Sequence, residues 1–220
     1  MFNLPKTTVV NKVIPKIKFY EKTGANSKLK QLFIDDIEQI IWKNKLSKDT
    51  INLQEGNTVK EIEVFEINLK HKNLSKDILK TIDKFIPYHI FYVLSFEDEI
   101  KITIAYKENN KNNENLMVVD SYYESEWMNK NDCSIQLDLI NSLDYVYNEF
   151  IKFLIPRDLP KGNDNDIESI IENEKQIQIL EKEIEQLEKN LKKEKQFNKK
   201  VEIKKLLREK KKYLETLIAN

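Results

Sequence analysis

The residues of this chain that can bind a metal or act as nucleophiles are few and scattered. His71 and His89 are its two histidines and Cys133 is its single cysteine. No two of them stand at the short spacing that zinc ligands share. His89 lies in an apolar run and reads as a core histidine. Cys133 sits in a polar stretch with no histidine near it in sequence, so it reads as an unreactive thiol. One cysteine forms no intrachain disulfide, which fits a reducing cytosol and gives the expectation of a cytoplasmic protein. No serine stands in a Gly-x-Ser-x-Gly elbow. The three glycines, Gly24, Gly56 and Gly162, cannot build a phosphate loop, which sets aside nucleotide-binding readings. No metal and no cofactor is assigned.

A carboxylate and lysine set offers the one enzymatic option. Metal-dependent nucleases hold a divalent cation between acidic side chains at a sheet edge, with a lysine beside the developing charge. Asp36, Glu66 and Lys70 are the candidates here, Asp36 at a helix and the other two on a strand. Glu66 shares a face with Ile62 and Val64, an unusual place for a carboxylate. The acid-x-Lys spacing of such sites is absent, since Glu66 stands four residues before Lys70. In a chain that is 34% charged, a solvated strand end is the plainer reading.

Charge supplies the other candidate. The 37 basic and 37 acidic residues cancel, yet they are segregated along the chain. Residues 1–30 and 189–212 are strongly basic and residues 164–188 strongly acidic. Lysines neutralise phosphates without reading sequence. Lys12 and Lys16 in the first stretch, and Lys192, Lys193, Lys199 and Lys200 in the second, are therefore candidates for non-specific nucleic-acid contact. Arginine, the usual base reader, occurs only at Arg157 and Arg208. Tyr122, Tyr123 and Trp127 can stack on bases, but more often such a cluster is core.

The elements that must position these residues divide into an α+β domain over 1–155, a linker over 156–165 marked by Pro156, Pro160 and Gly162, and a helical tail over 166–220. Residues 1–25, with two prolines, predict an extended arm. Asn26 or Ser27 caps a helix that apolar spacing carries to about Leu46 through Leu29, Leu32, Phe33, Ile37, Ile40 and Ile41. Gly56 marks a turn. Residues 60–70 predict a strand whose slipped alternation asks for a bulge or for cover on both faces. Ser75 starts a short helix that Pro87 stops. Residues 88–96 read as a central strand. A turn at Glu97-Asp98 leads to a strand over 99–107 with Ile100, Ile102, Ile104 and Tyr106 inward. A solvated loop over 108–115, a strand over 116–123 and a helix capped by Asp138 and ending near Leu154 complete the domain. The β-α-β unit implies one parallel pair, and the later strands add antiparallel. The expected fold class is α+β, a small mixed sheet with flanking helices followed by an α-helical coiled coil.

In the tail, Ile177, Leu180, Ile184, Leu187 and Leu191 alternate spacings of three and four, a coiled-coil seam. The register fails at Glu194 and Asn198, and a new seam is read at Ile203, Leu206, Tyr213 and Leu217. Folding back at about Lys193–Lys199 lays the basic half on the acidic half, so an antiparallel hairpin is expected. The absence of glycine or proline at the turn opposes it. No run is long and apolar enough to span a bilayer, and the first residues lack a signal-peptide pattern; no membrane partner is expected.

Several segments carry a family resemblance. The run Leu4-Pro5-Lys6-Thr7-Thr8-Val9-Val10-Asn11-Lys12-Val13-Ile14-Pro15-Lys16, with Phe19-Tyr20, is one. Ile41-Trp42-Lys43 with Leu46 and Thr50-Ile51-Asn52-Leu53 is a second, and Ile82-Asp83-Lys84-Phe85-Ile86-Pro87 a third. The last runs from Lys193 to Glu202. Together they resemble a bacterial and archaeal family known as domain of unknown function 4391, over essentially the whole chain. The resemblance implies no chemistry, because the family has no established activity. It suggests a role beside DNA-processing or phage-defence enzymes. The expected function is a non-enzymatic interaction or accessory protein with protein partners, or a second copy, on the coiled coil. A metal-dependent nuclease is the alternative.

Overall fold

The structure, a computed structural model, describes residues 4–22, 24–110, 113–132, 139–155 and 167–219. The chain divides into two compact units, Met1–Arg157 and Asp158–Asn220.

In the first unit the β-branched pairs Val9-Val10 and Val13-Ile14 favour extended backbone. They form β1 (Val9–Ile14), not a loose arm. Helix α1 (Ile17–Lys22) follows and buries Phe19. Helix α2 (Ser27–Asp36) is capped by the Asn26 side chain, which accepts from the Leu29 amide. It stops well short of Leu46, because Ile37–Leu46 is a strand, β2. Ile37, Ile40 and Ile41 mimic a helical face in spacing. Ile40-Ile41-Trp42, however, are β-branched and aromatic side chains that pack well on a pleated surface, and strands on both sides take up the backbone groups of β2. It pairs antiparallel with β1, Ile41 opposite Val13, and with β3 (Ile62–Leu69), Ile41 opposite Glu66. A short helix, α3 (Lys48–Ile51), lies between β2 and β3.

Of the two causes proposed for the slipped alternation over 60–70, cover on both faces is the one this strand has. β3 is buried on both faces along most of its length. The irregularities in its pairing fall on β2, which carries extra residues at Glu38 and Lys43. Helix α4 (Lys76–Phe85) is capped by Ser75 and ends before Pro87. It connects β3 to β4 (His89–Phe96), which run parallel with Val64 opposite Phe91. The turn at Glu97-Asp98 leads to β5 (Glu99–Asn110), antiparallel to β4. β5 and β6 (Asn113–Glu124) extend into the stretch expected as a loop, pairing Lys107 with Val119 and Glu108 with Val118. Their cross-strand bonds satisfy backbone groups that a loop would leave to water. Residues 111 and 112 of that stretch lie outside the described residues. A two-residue strand, β7 (Met128–Asn129), pairs with Glu99 and Ile100 of β5.

Among the described residues these seven strands make one sheet, ordered β1-β2-β3-β4-β5-β6 with β7 on β5, and mostly antiparallel. Helices α1, α2 and α4 cover one face. There Phe19, Phe33, Ile37, Phe65, Ile82 and Tyr92 form the centre of the core. Helix α5 (Leu143–Leu154), capped by Ser142, covers the other. Phe91, which alternation turns away from Tyr92, stacks on Tyr147 and meets Phe150 at a tilt, both on α5. Asp138, expected as this helix's cap, lies outside the described residues, as do Cys133 and residues 156–166.

In the second unit α6 (Ile167–Lys193) and α7 (Phe197–Ala219) pack against each other. Three residues join them, and Asn173 near the start of α6 meets Leu217 near the end of α7. The two helices are therefore antiparallel.

Candidate functional site

The structure sends the three nuclease candidates to different partners. Asp36, at the end of α2, is buried and pairs with His71 Nε2 at 3.3 Å. Its other oxygen accepts from the Ser75 amide. Lys70 Nζ donates to the Ile34 carbonyl at 2.7 Å. Glu66 pairs with Lys43 at 3.4 Å, half a strand away. The backbones of Asp36 and Lys70 are neighbours, with the Lys70 amide on the Asp36 carbonyl. Glu66 is four residues back along β3, about 13 Å at the rise of an extended strand. The three do not converge on one point, and among the described residues no group of three potential metal ligands forms.

Buried titratable groups stand elsewhere, and they hold the fold. Asp83, on the apolar face of α4, pairs with Lys107 of β5 at 3.0 Å, both side chains almost wholly buried. Lys107 Nζ also donates to the Tyr88 carbonyl, and the Tyr122 hydroxyl donates to Asp83. Burial and this carboxylate push the phenol of Tyr122 far up and that of Tyr92 well up. The cluster joins the helix layer to the sheet, and Tyr122 serves there as a packing residue; Tyr123, next to it on β6, is buried and turned to the other face. Trp127 packs against the core edge with Lys72 Nζ 5.5 Å over its ring. Breaking such a pair strands a buried charge.

His89 is 3% exposed and meets the Tyr147 ring edge-on at 4.5 Å between centroids. Burial, with Lys107 nearby, holds its pKa down to about 3, so it is a neutral core histidine. Glu63 is 4% exposed, on the same side of β3 as Phe65. Trp42 Nε1 donates to it at 2.6 Å. Burial raises its pKa to about 7 against the opposing effect of that bond. The sequence carries no signal for these pairings, because every partner is distant along the chain.

The lysine candidates fall in three settings. Lys12 is exposed on β1. Lys16 is tied down, its Nζ donating to the Ile37 carbonyl at 2.6 Å, with its pKa lowered by burial and by Lys70. Lys192, Lys193, Lys199 and Lys200 gather around the turn between α6 and α7. The turn forms without glycine or proline because the Glu194 carboxylate accepts from the amides of Lys195 and Gln196, both at 2.8 Å. Those two donations hold the carboxyl below its ordinary pKa.

The packed helices present the more informative surface. On α6, Ile177, Leu180 and Ile184 are buried, and Leu187 and Leu191 are half-buried. On α7 the expected face is corrected. Leu206 is 42% and Tyr213 51% exposed, while Leu207 is 7% exposed and Ile203, Leu214 and Leu217 are half-buried. The inward positions run 203, 207, 210, 214, 217, unbroken spacings of four and three. Lys210 stands in that row and hides it from a purely apolar search. Its stem lies along the interface and its Nζ reaches Glu183 at 2.7 Å. Lys211 pairs with Glu188 at 2.6 Å. Opposite charges thus meet across the two helices. With the inward row filled, Phe197, Val201, Leu206 and Tyr213 remain on the surface.

No curated protein and no solved structure matches the chain. One family does, over residues 2–214, and its description is a domain of unknown function, DUF4391. That match spans almost the whole chain and agrees with the segments from Leu4 to Glu202 that carry the resemblance, so the chain belongs to the DUF4391 family.

Proposed function

We propose that this is a non-enzymatic interaction protein. Its α6–α7 hairpin works as a short antiparallel coiled coil that recruits a protein partner. The observation that supports this reading is the apolar surface left on α7. Tyr213 and Leu206 are large, exposed and one heptad apart, beside an interface that is already complete without them. Exposed large apolar side chains in a row, rimmed by charge, fit a helix-on-helix partner. Around the turn, Lys192, Lys193 and Lys199 make no ion pair among the described residues, and this positive tip suits non-specific phosphate contact as a secondary role. The family resemblance favours an accessory role beside DNA-processing or phage-defence enzymes.

The test separates the two rows of α7. Leu206→Asp with Tyr213→Asp is expected to keep the helical circular dichroism of the wild type. It should lose the partner that the wild type retains, identified by mass spectrometry of complexes from the native host. Retention of that partner by the double variant would overturn the proposal. Nuclease chemistry through Asp36, Glu66 and Lys70 competes with it. Cleavage of DNA or RNA with Mg²⁺ or Mn²⁺ that vanishes in Glu66→Ala would establish that alternative.

A further inference from the structure

The lysines of the sheet domain fall into two classes. Those of β2 and β5 are each matched to an acid: Lys43 to Glu66, Lys45 to Glu61, Lys101 to Glu124 and Lys107 to Asp83. In the helix layer Lys76 of α4 reaches Glu124 at 3.3 Å, but three other lysines differ. A groove runs between the start of α2 and the outer side of α4, and Lys28, Lys80 and Lys84 line it with Asn26, Asp77 and Thr81. All three lysines are exposed. Among the described residues none of them has an acid within ion-pair distance. Asp77 is the one acid on the groove's wall, against three ammonium groups. Lys80 and Lys84 stand at i and i+4 on α4, a like-charge pair that works against the helix. Lys84 suits the last turn of α4, but no ion pair accounts for gathering the three charges, and the molecule's net charge is zero. Nearby on the same layer, Lys22 lies over the Phe85 ring at 5.7 Å and Lys30 over the Tyr20 ring at 5.5 Å. Those contacts orient two further cations.

We propose that this groove binds the phosphate backbone of nucleic acid, independently of sequence. Phosphate is the chemistry that three unmatched ammonium groups in a trough recognise. The groove is open, and its floor is formed by Leu29 and Leu32 with no aromatic ring among the lining residues. It offers no enclosed, ring-lined pocket for a nucleotide base, so a strand passing through suits it better than a mononucleotide. The proposal stands apart from the hairpin reading, because its lysines belong to the other unit.

The test uses the full chain and a fluorescein-labelled single strand of mixed sequence, about 16 nucleotides long, with anisotropy read between about 50 and 200 mM NaCl. The triple variant Lys28→Gln, Lys80→Gln, Lys84→Gln is expected to bind at least about tenfold more weakly at the lowest salt. Its log–log salt slope should be shallower by about 2, near 0.7 per lost contact on a single strand. Lys80→Gln alone should take about a third of that slope change. Replacing Lys192, Lys193, Lys199 and Lys200 with glutamine should leave the groove's share of the slope in place. The lysines are exposed, so near-ultraviolet dichroism is expected to be unchanged. A triple variant with wild-type affinity and slope would overturn the proposal. So would displacement of the strand by inorganic tripolyphosphate far below the concentration at which NaCl of equal ionic strength displaces it, since the site would then be one for a free phosphate chain.

Discussion

Glu63 and His89 are two residues whose charge the fold suppresses, and as pH changes they act on stability in opposite directions. Glu63 titrates at about 7 in the folded chain against a value near 4.3 unfolded. As pH rises between those values the unfolded chain loses this proton first, so stability falls, by about 4 kcal/mol at most. His89 titrates at about 3 when folded and near 6.5 unfolded. Its contribution is lost as pH falls through that window, because the unfolded chain gains the proton first. Glu63→Gln keeps an acceptor for Trp42 Nε1. Its urea midpoint should therefore exceed that of the wild type by more at about pH 8 than at about pH 4.5. His89→Phe should show its advantage only at the acid end. A Glu63→Gln midpoint that tracks the wild type at every pH would show that Glu63 ionises normally. A second contact at this scale is the loop over Gly56–Val59. Asp144, in the first turn of α5, accepts from the amides of Asn57 at 2.6 Å and Val59 at 2.7 Å. A Cβ at Gly56 would stand 2.1 Å from the Asp144 carboxyl carbon. Gly56→Ala and Asp144→Ala should each cost about 1–3 kcal/mol in urea unfolding. The double variant should cost clearly less than their sum, because both damage one contact. Additive costs would separate the two.

Among the elements, α7 shows how one helix divides its faces. Leu207 belongs to the row that meets α6 and Leu206 does not, although the two are adjacent in sequence. Leu207→Asp places a carboxylate in the interface between the two helices, and the hairpin should lose most of its helical dichroism. Leu206→Asp should lose almost none. Near-ultraviolet signal from Trp42 and Trp127 should survive both changes, since those rings belong to the other compact unit. Equal loss in the two variants would mean that the inward row is wrongly drawn. The element scale also accounts for β2. A ten-residue strand stands where local spacing reads helix, because β1 and β3 both pair with it.

For the whole molecule, the hairpin bears on oligomeric state. The inward row of α6 finds its partner in α7 of the same chain, so the interface needs no second copy. Sedimentation equilibrium of the wild type should give the single-chain mass of 26.3 kDa. A dimer mass that reverts to the monomer in Leu206→Asp would instead place a second copy on the outer row. No helix among the described residues is long and apolar enough to cross a membrane.

Much of this architecture is written in short-range signals. The caps at Asn26 and Ser75, the stop before Pro87, the turn at Glu97-Asp98 and the parallel β-α-β unit all depend on residues close together, and a local reading finds them. So does the return of α7 along α6, since segregated charge and apolar spacing are visible in the bare chain. Other features are not local. Ile37–Leu46 satisfies helical spacing and strand propensity alike, and pairing with β1 and β3 decides between them. Lys210 interrupts an apolar row that only its contact with Glu183 makes continuous. Asp36, Glu66 and Lys70 look like a cluster along the chain, yet their three separate partners pull them apart, while Lys28 and Lys84, far apart in sequence, line one groove. By itself the sequence determined which segments could be helix, strand or turn. The tertiary structure alone decided which side chains share a place, because convergence depends on contacts between residues that the chain brings together only when folded.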